Sequence, residues 1–271
     1  MLKTIWVSIF SFTYLLATVQ PSHATEVVGD NEIVAYIGTG GLLLPTTFTG
    51  TATTKKAVAD CVGCTWAYSV FCMNDLEGLC QHSTATCSLG QVRYRVWFGR
   101  SKDELEVIGS VCWGIGRPPT RRDAETRVKD LVVNYVPQLQ LTLAPPGGSL
   151  TVIPVIGWVD QPQTYSPPAF NLSGRKVTIT AKATWRWIWG DGTIEWKSVP
   201  GEVFVVGRDL ESQIQHQYRI PNEYLVEVTT IWSATYQVDG IGAFKVGGEV
   251  LTQTAQELIR IRSAGSVLLK N

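Results

Sequence analysis

From Lys176 to Thr184 the chain alternates without a slip. Val177, Ile179, Ala181 and Ala183 fall on one side, and Lys176, Thr178, Thr180 and Lys182 on the other. A period of two is the mark of a strand with one buried face. Trp185, Trp187 and Trp189 continue the same phase with no connector. The pattern therefore predicts one long strand, bent near Ala183 and closed by Gly190-Asp191-Gly192, where Asp-Gly suits a positive-φ turn. Tyr224 to Trp232, Thr235 to Val238, Glu249 to Thr254 and Glu257 to Arg262 read as further strands. Upstream, Leu139 to Leu143 and Leu150 to Ile156 flank a Pro145-Pro146-Gly147-Gly148 turn, and the proline-bearing stretch Asp160 to Ser173 reads as a loop. Short strands separated by turn signals predict a sandwich.

The first half reads differently. Gln91 to Phe98 alternates polar and apolar, and Leu105 to Cys112 is its partner across a turn from Gly99 to Asp103. Ile33 to Ile37 is a short strand. The following Gly38-Thr39-Gly40-Gly41 lacks the lysine of a phosphate loop and reads as a turn. Thr46 to Lys56 is Thr-rich, with little to bury. Arg117-Pro118-Pro119 breaks the chain. Ala124, Val128, Leu131, Val132 and Tyr135 then recur at helical spacing from Asp123 to Val136, with Thr120 or Asp123 as cap and Pro137 as stop. This is the one helix predicted in the mature chain, placed to pack on a β module.

At 271 residues the chain has room for two modest domains and a linker. Ten tryptophans speak against disorder, and 23 basic against 23 acidic residues indicate neither nucleic acid nor an acidic membrane as partner. Lys3, the apolar run Ile5 to Val19 and the small residues of Ser22-His23-Ala24 make residues 1–24 a secretory signal peptide cleaved after Ala24. No later stretch reaches the length of a membrane span. Cys61, Cys64, Cys72, Cys80, Cys87 and Cys112 cluster in one short stretch, which in an exported chain reads as a disulfide-stapled module of open connectivity. A redox role for Cys61-Val62-Gly63-Cys64 needs a helix amino terminus after a strand, and zinc needs a second close pair. Structural bridging is favoured over both. The predicted organisation is signal peptide (1–24), Gly/Thr-rich segment (25–60), disulfide-rich module (61–116), linker and helix (117–136), sandwich (137–264) and tail (265–271).

The tryptophan strand with its Gly-Asp-Gly turn is followed by His216-Gln217-Tyr218, Pro221-Asn222 and Tyr224-Leu225-Val226-Glu227-Val228. This series resembles the polycystic kidney disease (PKD) domain over roughly Pro137 to Ala264. Asn222 stands where that family usually has glycine, a place asparagine can fill in the left-handed region. The order of parts along the whole chain more loosely resembles exported actinobacterial proteins that carry such a domain. The resemblance implies a C-terminal immunoglobulin-like (PKD-type) β-sandwich; with the one helix and the small disulfide-rich β module read before it, the expected fold is mainly β. The resemblance also implies spacing, adhesion or interaction, and not an active site.

The fold-signature residues are Trp187, Trp189, Gly190, Asp191, Gly192, His216, Tyr218 and Tyr224. Trp187 and Trp189 are expected in the core, and Trp185, partly exposed at the bend, is the candidate ligand contact. Asp191 alone is too few carboxylates for calcium, and neither His82 nor His216 sits in a Gly-x-Ser-x-Gly context. No catalytic residue, metal ligand or cofactor is assigned. The sequence reads as a secreted or cell-surface, non-enzymatic binding or spacer protein whose partner is a protein or carbohydrate of the cell envelope. The alternatives are an accessory subunit of a surface assembly and an extracellular hydrolase with a site not visible in sequence.

Overall fold

The computed structural model describes residues 34–70, 87–114, 116–207 and 213–264. The predicted signal peptide, Cys72, Cys80, His82 and the tail from 265 lie outside them. The fold is mainly β, with two α-helices among the described residues.

Strands β1 (Val34–Thr39), β2 (Thr65–Val70), β3 (Val92–Gly99) and β4 (Glu106–Trp113) form an antiparallel four-stranded sheet in that order. β1 comes from before the first cysteine and pairs directly with β2. Helix α1 (Ala52–Asp60) corrects the reading of Thr46 to Lys56 as exposed chain and of the later helix as the sole one. Thr51 caps it by accepting the Thr54 N–H at 3.2 Å. It buries only Val58 and Ala59, too narrow a stripe to show as periodicity in a Thr- and Lys-rich stretch.

The segment after β1 joins the two halves. Leu42 and Leu44 enter a core with Trp66, Tyr68, Tyr94 and Val96, whereas Leu43 belongs to the larger C-terminal core. Leu43 N–H donates to Pro119 O and Arg121 N–H to Gly41 O. The buried Arg175 clamps the joint. Its Nε donates to Leu44 O (2.7 Å), Nη2 to Pro45 O (3.0 Å) and Nη1 to Asp239 O (2.8 Å).

Helix α2 (Arg121–Tyr135) starts with a capping box in which Thr120 and Asp123 satisfy each other's backbone N–H. Ala124, Val128, Leu131 and Val132 face inward as the spacing requires. Tyr135 is the exception: it is half exposed, and Val136 is buried in its stead.

Beyond α2 follow β5 (Leu141–Ala144), β6 (Ser149–Leu150), β7 (Val155–Val159), β8 (Thr164–Tyr165), β9 (Phe170–Leu172) and β10 (Arg175–Ile188). Then come β11 (Ile194–Lys197), β12 (Gln215–His216), β13 (Asn222–Val238), β14 (Gly242–Lys245) and β15 (Leu251–Arg262). The long antiparallel ladder of β10 with β13 is the axis of the structure. β15 flanks β13, and β6 adds to β15 in parallel. β9, β8 and β11 cover successive stretches of the other edge of β10. β12, β7 and β5 form a second sheet, and α2 packs across β13 and β15.

Several expected boundaries shift. β13 and β15 are each continuous where two strands were expected, and the stretch 160–173 contains β8 and β9. The Pro145-Pro146-Gly147-Gly148 turn does not close a hairpin of its flanking strands. β5 pairs with β7, while Ser149 and Leu150 join β15.

The two C-terminal sheets enclose one core, with Trp185, Trp187 and Trp189 buried among Leu143, Val155, Tyr218, Val226 and Ile259. Trp185 is 0% exposed, which removes it as a ligand contact. The inward phase set at Val177 runs unbroken through it, so no bend brings it to the surface. A Cβ at Gly157 would lie 2.6 Å from the Trp187 ring, so glycine at this point of β7 gives the indole its space.

Candidate functional site

The signature residues converge at one end of the C-terminal core. Gly190 and Gly192 have φ of 83° and 94°, as the turn requires. Asp191, set between them, accepts the Thr193 N–H at 3.0 Å through Oδ1 and meets His216 Nε2 at 2.7 Å through Oδ2. His216 stacks on Trp189 (5.0 Å between centroids) and meets Tyr218 edge-on (4.7 Å). Tyr218 Oη donates to Trp189 O at 2.7 Å and its ring stacks on Tyr224, whose Oη donates to Ile220 O at 2.9 Å. Burial raises the Asp191 carboxyl, but the hydrogen bonds from His216 and Thr193 outweigh it and hold the group below the usual carboxylate range. Burial, reinforced by Asp191, pushes the Tyr218 phenol well above its ordinary value. Asn222 departs from expectation. It opens β13 in extended backbone and not in the left-handed region, so no special conformation is asked of it.

This cluster ties β12 of the small sheet to the turn ending the tryptophan strand. Its one histidine gives its hydrogen bond to Asp191, and among the described residues no hydroxyl or thiol nucleophile bonds to the imidazole. The arrangement is suited to holding a corner.

Cys61 is bridged to Cys64, and Cys87 to Cys112. Cys61 follows the carboxyl end of α1, the end whose dipole disfavours a thiolate. The bridge borders an open cavity of about 470 Å³ lined by Thr39, Gly40, Val62, Arg122 and Glu125 among others. Across it, the amino end of α2 is already occupied by its own capping box. A second open cavity, about 490 Å³ between α1 and Ile241, carries one carboxylate, Asp60. Neither cavity offers the carboxylate pair of a glycosidase.

Among the described residues the one predominantly exposed tryptophan is Trp196 on the edge strand β11, 61% exposed, which the sequence reading passed over. Its signal was the alternation Ile194-Glu195-Trp196-Lys197 directly after the Gly192-Thr193 turn. Trp196 stands on the outward face of the large sheet, opposite Arg186, in a row continued by Thr229 and Thr254. The next row is Ile194, Ile188, Glu227 and Gln256, and beyond it lie Leu225 and Leu258. Ile194, Leu225 and Leu258 are 57%, 49% and 60% exposed. Glu227 accepts from Gln256 Nε2 at 2.7 Å and lies 3.9 Å from Arg186, while Arg260 Nε donates to Glu223 at 2.7 Å. With strands about 4.8 Å apart, the four strands present a platform about 14 Å wide. Its charges pair off. Such a surface can cover the apolar face of a ligand while planar polar groups bond its edges.

Among the described residues, no group of three or more His, Cys, Asp or Glu is placed to hold a metal ion. Nor is any helix among them long and apolar enough to cross a membrane. No protein-family model matches the chain, and no curated protein matches it.

Proposed function

We propose that the protein is an exported, non-enzymatic binding or spacer protein. In this reading residues 1–24 are removed on export, and residues 137–264 form an immunoglobulin-like sandwich of PKD type. The outward face around Trp196 meets a protein or carbohydrate of the cell envelope. The observation that carries the reading is the accessible apolar platform of Trp196, Ile194, Leu225 and Leu258, set on a continuous four-stranded ladder with its charges internally paired. Exposed apolar side chains grouped in this way mark interaction surfaces. The two disulfides fit an oxidising location. The Asp191–His216 pair is absorbed by the turn it holds, which supports a non-catalytic assignment.

The test is cross-linking on intact cells from a photoreactive group at position 196, with Lys176, at the far end of the same face, as the control position. Capture from 196 and not from 176 is the expected result. An envelope protein as the captured species assigns the chain to a surface assembly, and a glycan assigns it to wall binding. Equal capture from both positions, or from neither, removes the platform as the binding surface.

A further inference from the structure

We infer that a second copy of this chain pairs with the free edge of β11, joining two large sheets into one across a two-fold axis at Trp196. β11 is the end strand of its sheet, and among the described residues its only ladder partner is β10. Unpaired strand edges invite pairing unless something blocks them. Both edges of the N-terminal sheet show such a device: register irregularities interrupt β1 against β2 and β3 against β4. β11 has none. All four of its residues pair in regular register, it contains no proline or glycine, and Ile194 and Trp196 stand exposed upon it.

The charges select the partner and the register. Glu195 and Lys197 flank Trp196 and lie on the opposite face from it. In an antiparallel pair centred on Trp196, Glu195 of each copy faces Lys197 of the other, and the two indoles meet on the outward face. Shifting the centre by one residue sets Glu195 against Glu195 or Lys197 against Lys197, so like charges reject both neighbouring registers. In the single chain, Lys197 Nζ pairs with Glu195 at 2.6 Å, a partly exposed contact that can be exchanged for the crossed pairs at little cost. The closed, isologous arrangement ends at two copies. It also places two Trp196 platforms side by side, which would multiply the strength of attachment to a repeating surface. The dimer stands or falls independently of what the platform binds.

Sedimentation equilibrium of the full chain over a concentration series tests this directly. The wild type should show a monomer–dimer equilibrium. Glu195→Lys and Lys197→Glu each turn two attractive pairs into repulsive ones and should each raise the dissociation constant about tenfold or more. An equimolar mixture of the two variants should recover dimer, because the crossed pairs are attractive again, and native mass spectrometry should identify it as the heterodimer. Melting curves matching the wild type show that the variants fold. Should either fail to, hydrogen exchange of the wild type gives the same answer, with protection of the Ile194 and Trp196 amides, the two that face away from β10, growing with protein concentration. A wild type that stays monomeric throughout, a dimer indifferent to both substitutions, or a mixture no more dimeric than its components overturns the inference.

Discussion

Replacing Arg175 by methionine should cost the protein about 3 kcal/mol and loosen its N-terminal half. The residue is 6% exposed, and its guanidinium reaches Leu44 O, Pro45 O and Asp239 O at 2.7, 3.0 and 2.8 Å. Burial pulls its pKa below the usual arginine range, with Asp239 opposing, yet arginine keeps its charge in proteins. Arg175→Met keeps much of the apolar stem and removes all three donors. A buried carbonyl left without a partner costs about 1–3 kcal/mol, and relief from burying a charge offsets part of the sum. Taking the low end for each acceptor gives about 3 kcal/mol in total. In a protein of this size that corresponds to a fall of about 6–12 °C in Tm. Arg175→Lys offers a point charge where a planar fork is needed, so it should recover only part of the loss. Urea titration and calorimetry on wild type, Met and Lys variants measure this. The Met variant should also unfold less cooperatively, because two of the lost bonds tie residues 44–45 to the large sheet. A Met variant within about 0.5 kcal/mol of wild type, the ordinary range for a surface change, would refute the clamp.

Other consequences are equally open to measurement. Thr120→Ala breaks the capping box of α2 and should cost about 1 kcal/mol in urea unfolding, whereas Thr126→Ala on its exposed side should not. Cys87–Cys112 closes a separation of 25 residues and Cys61–Cys64 one of 3, so chain entropy gives about 3.5 against about 2 kcal/mol, and the paired Ser variants should lose stability in that order. The folded Asp191 carboxyl lies below its ordinary value of 3.8, so its contribution is present above that pH and is lost as pH falls through the lowered value. Asp191→Asn should therefore melt below wild type at neutral pH, and the two melting curves should converge in acid; a constant gap would show that the carboxylate charge is not what stabilises the corner.

Legibility in the sequence followed the number of faces each element uses. β10 has one buried face and strict alternation, so its extent could be read directly, but the bend expected near Ala183 is absent and Trp185 stays inward with its neighbours. α2 was readable from its spacing and its Thr120/Asp123 start. β13 was split in the reading because its pattern inverts locally: Thr230 is polar yet fully buried, while Ile231 points outward. β15 carries Gln253 and Glu257 on the inward side of its ladder, where Gln161 bonds Gln253, so polarity there imitates a break. The run Leu42-Leu43-Leu44 serves two cores from opposite sides and has no period of its own. The Gly190-Asp191-Gly192 turn was legible because turn chemistry is local, whereas its meeting with His216, 25 residues on, and with Tyr218 and Tyr224 was expected only through the resemblance. The platform was not, because it assembles isolated apolar residues from four strands whose register only the fold supplies.

On the proposed function, labour is divided between a structural corner at His216 and a binding face at Trp196. Binding of the full chain to an isolated cell-envelope fraction, titrated for wild type, Trp196→Ala and His216→Ala beside their melting curves, tests it most directly. Trp196→Ala should lose binding at unchanged Tm, while His216→Ala should lower Tm and bind in proportion to its folded fraction. Binding abolished by His216→Ala at unchanged Tm, with Trp196→Ala binding as wild type, would contradict it.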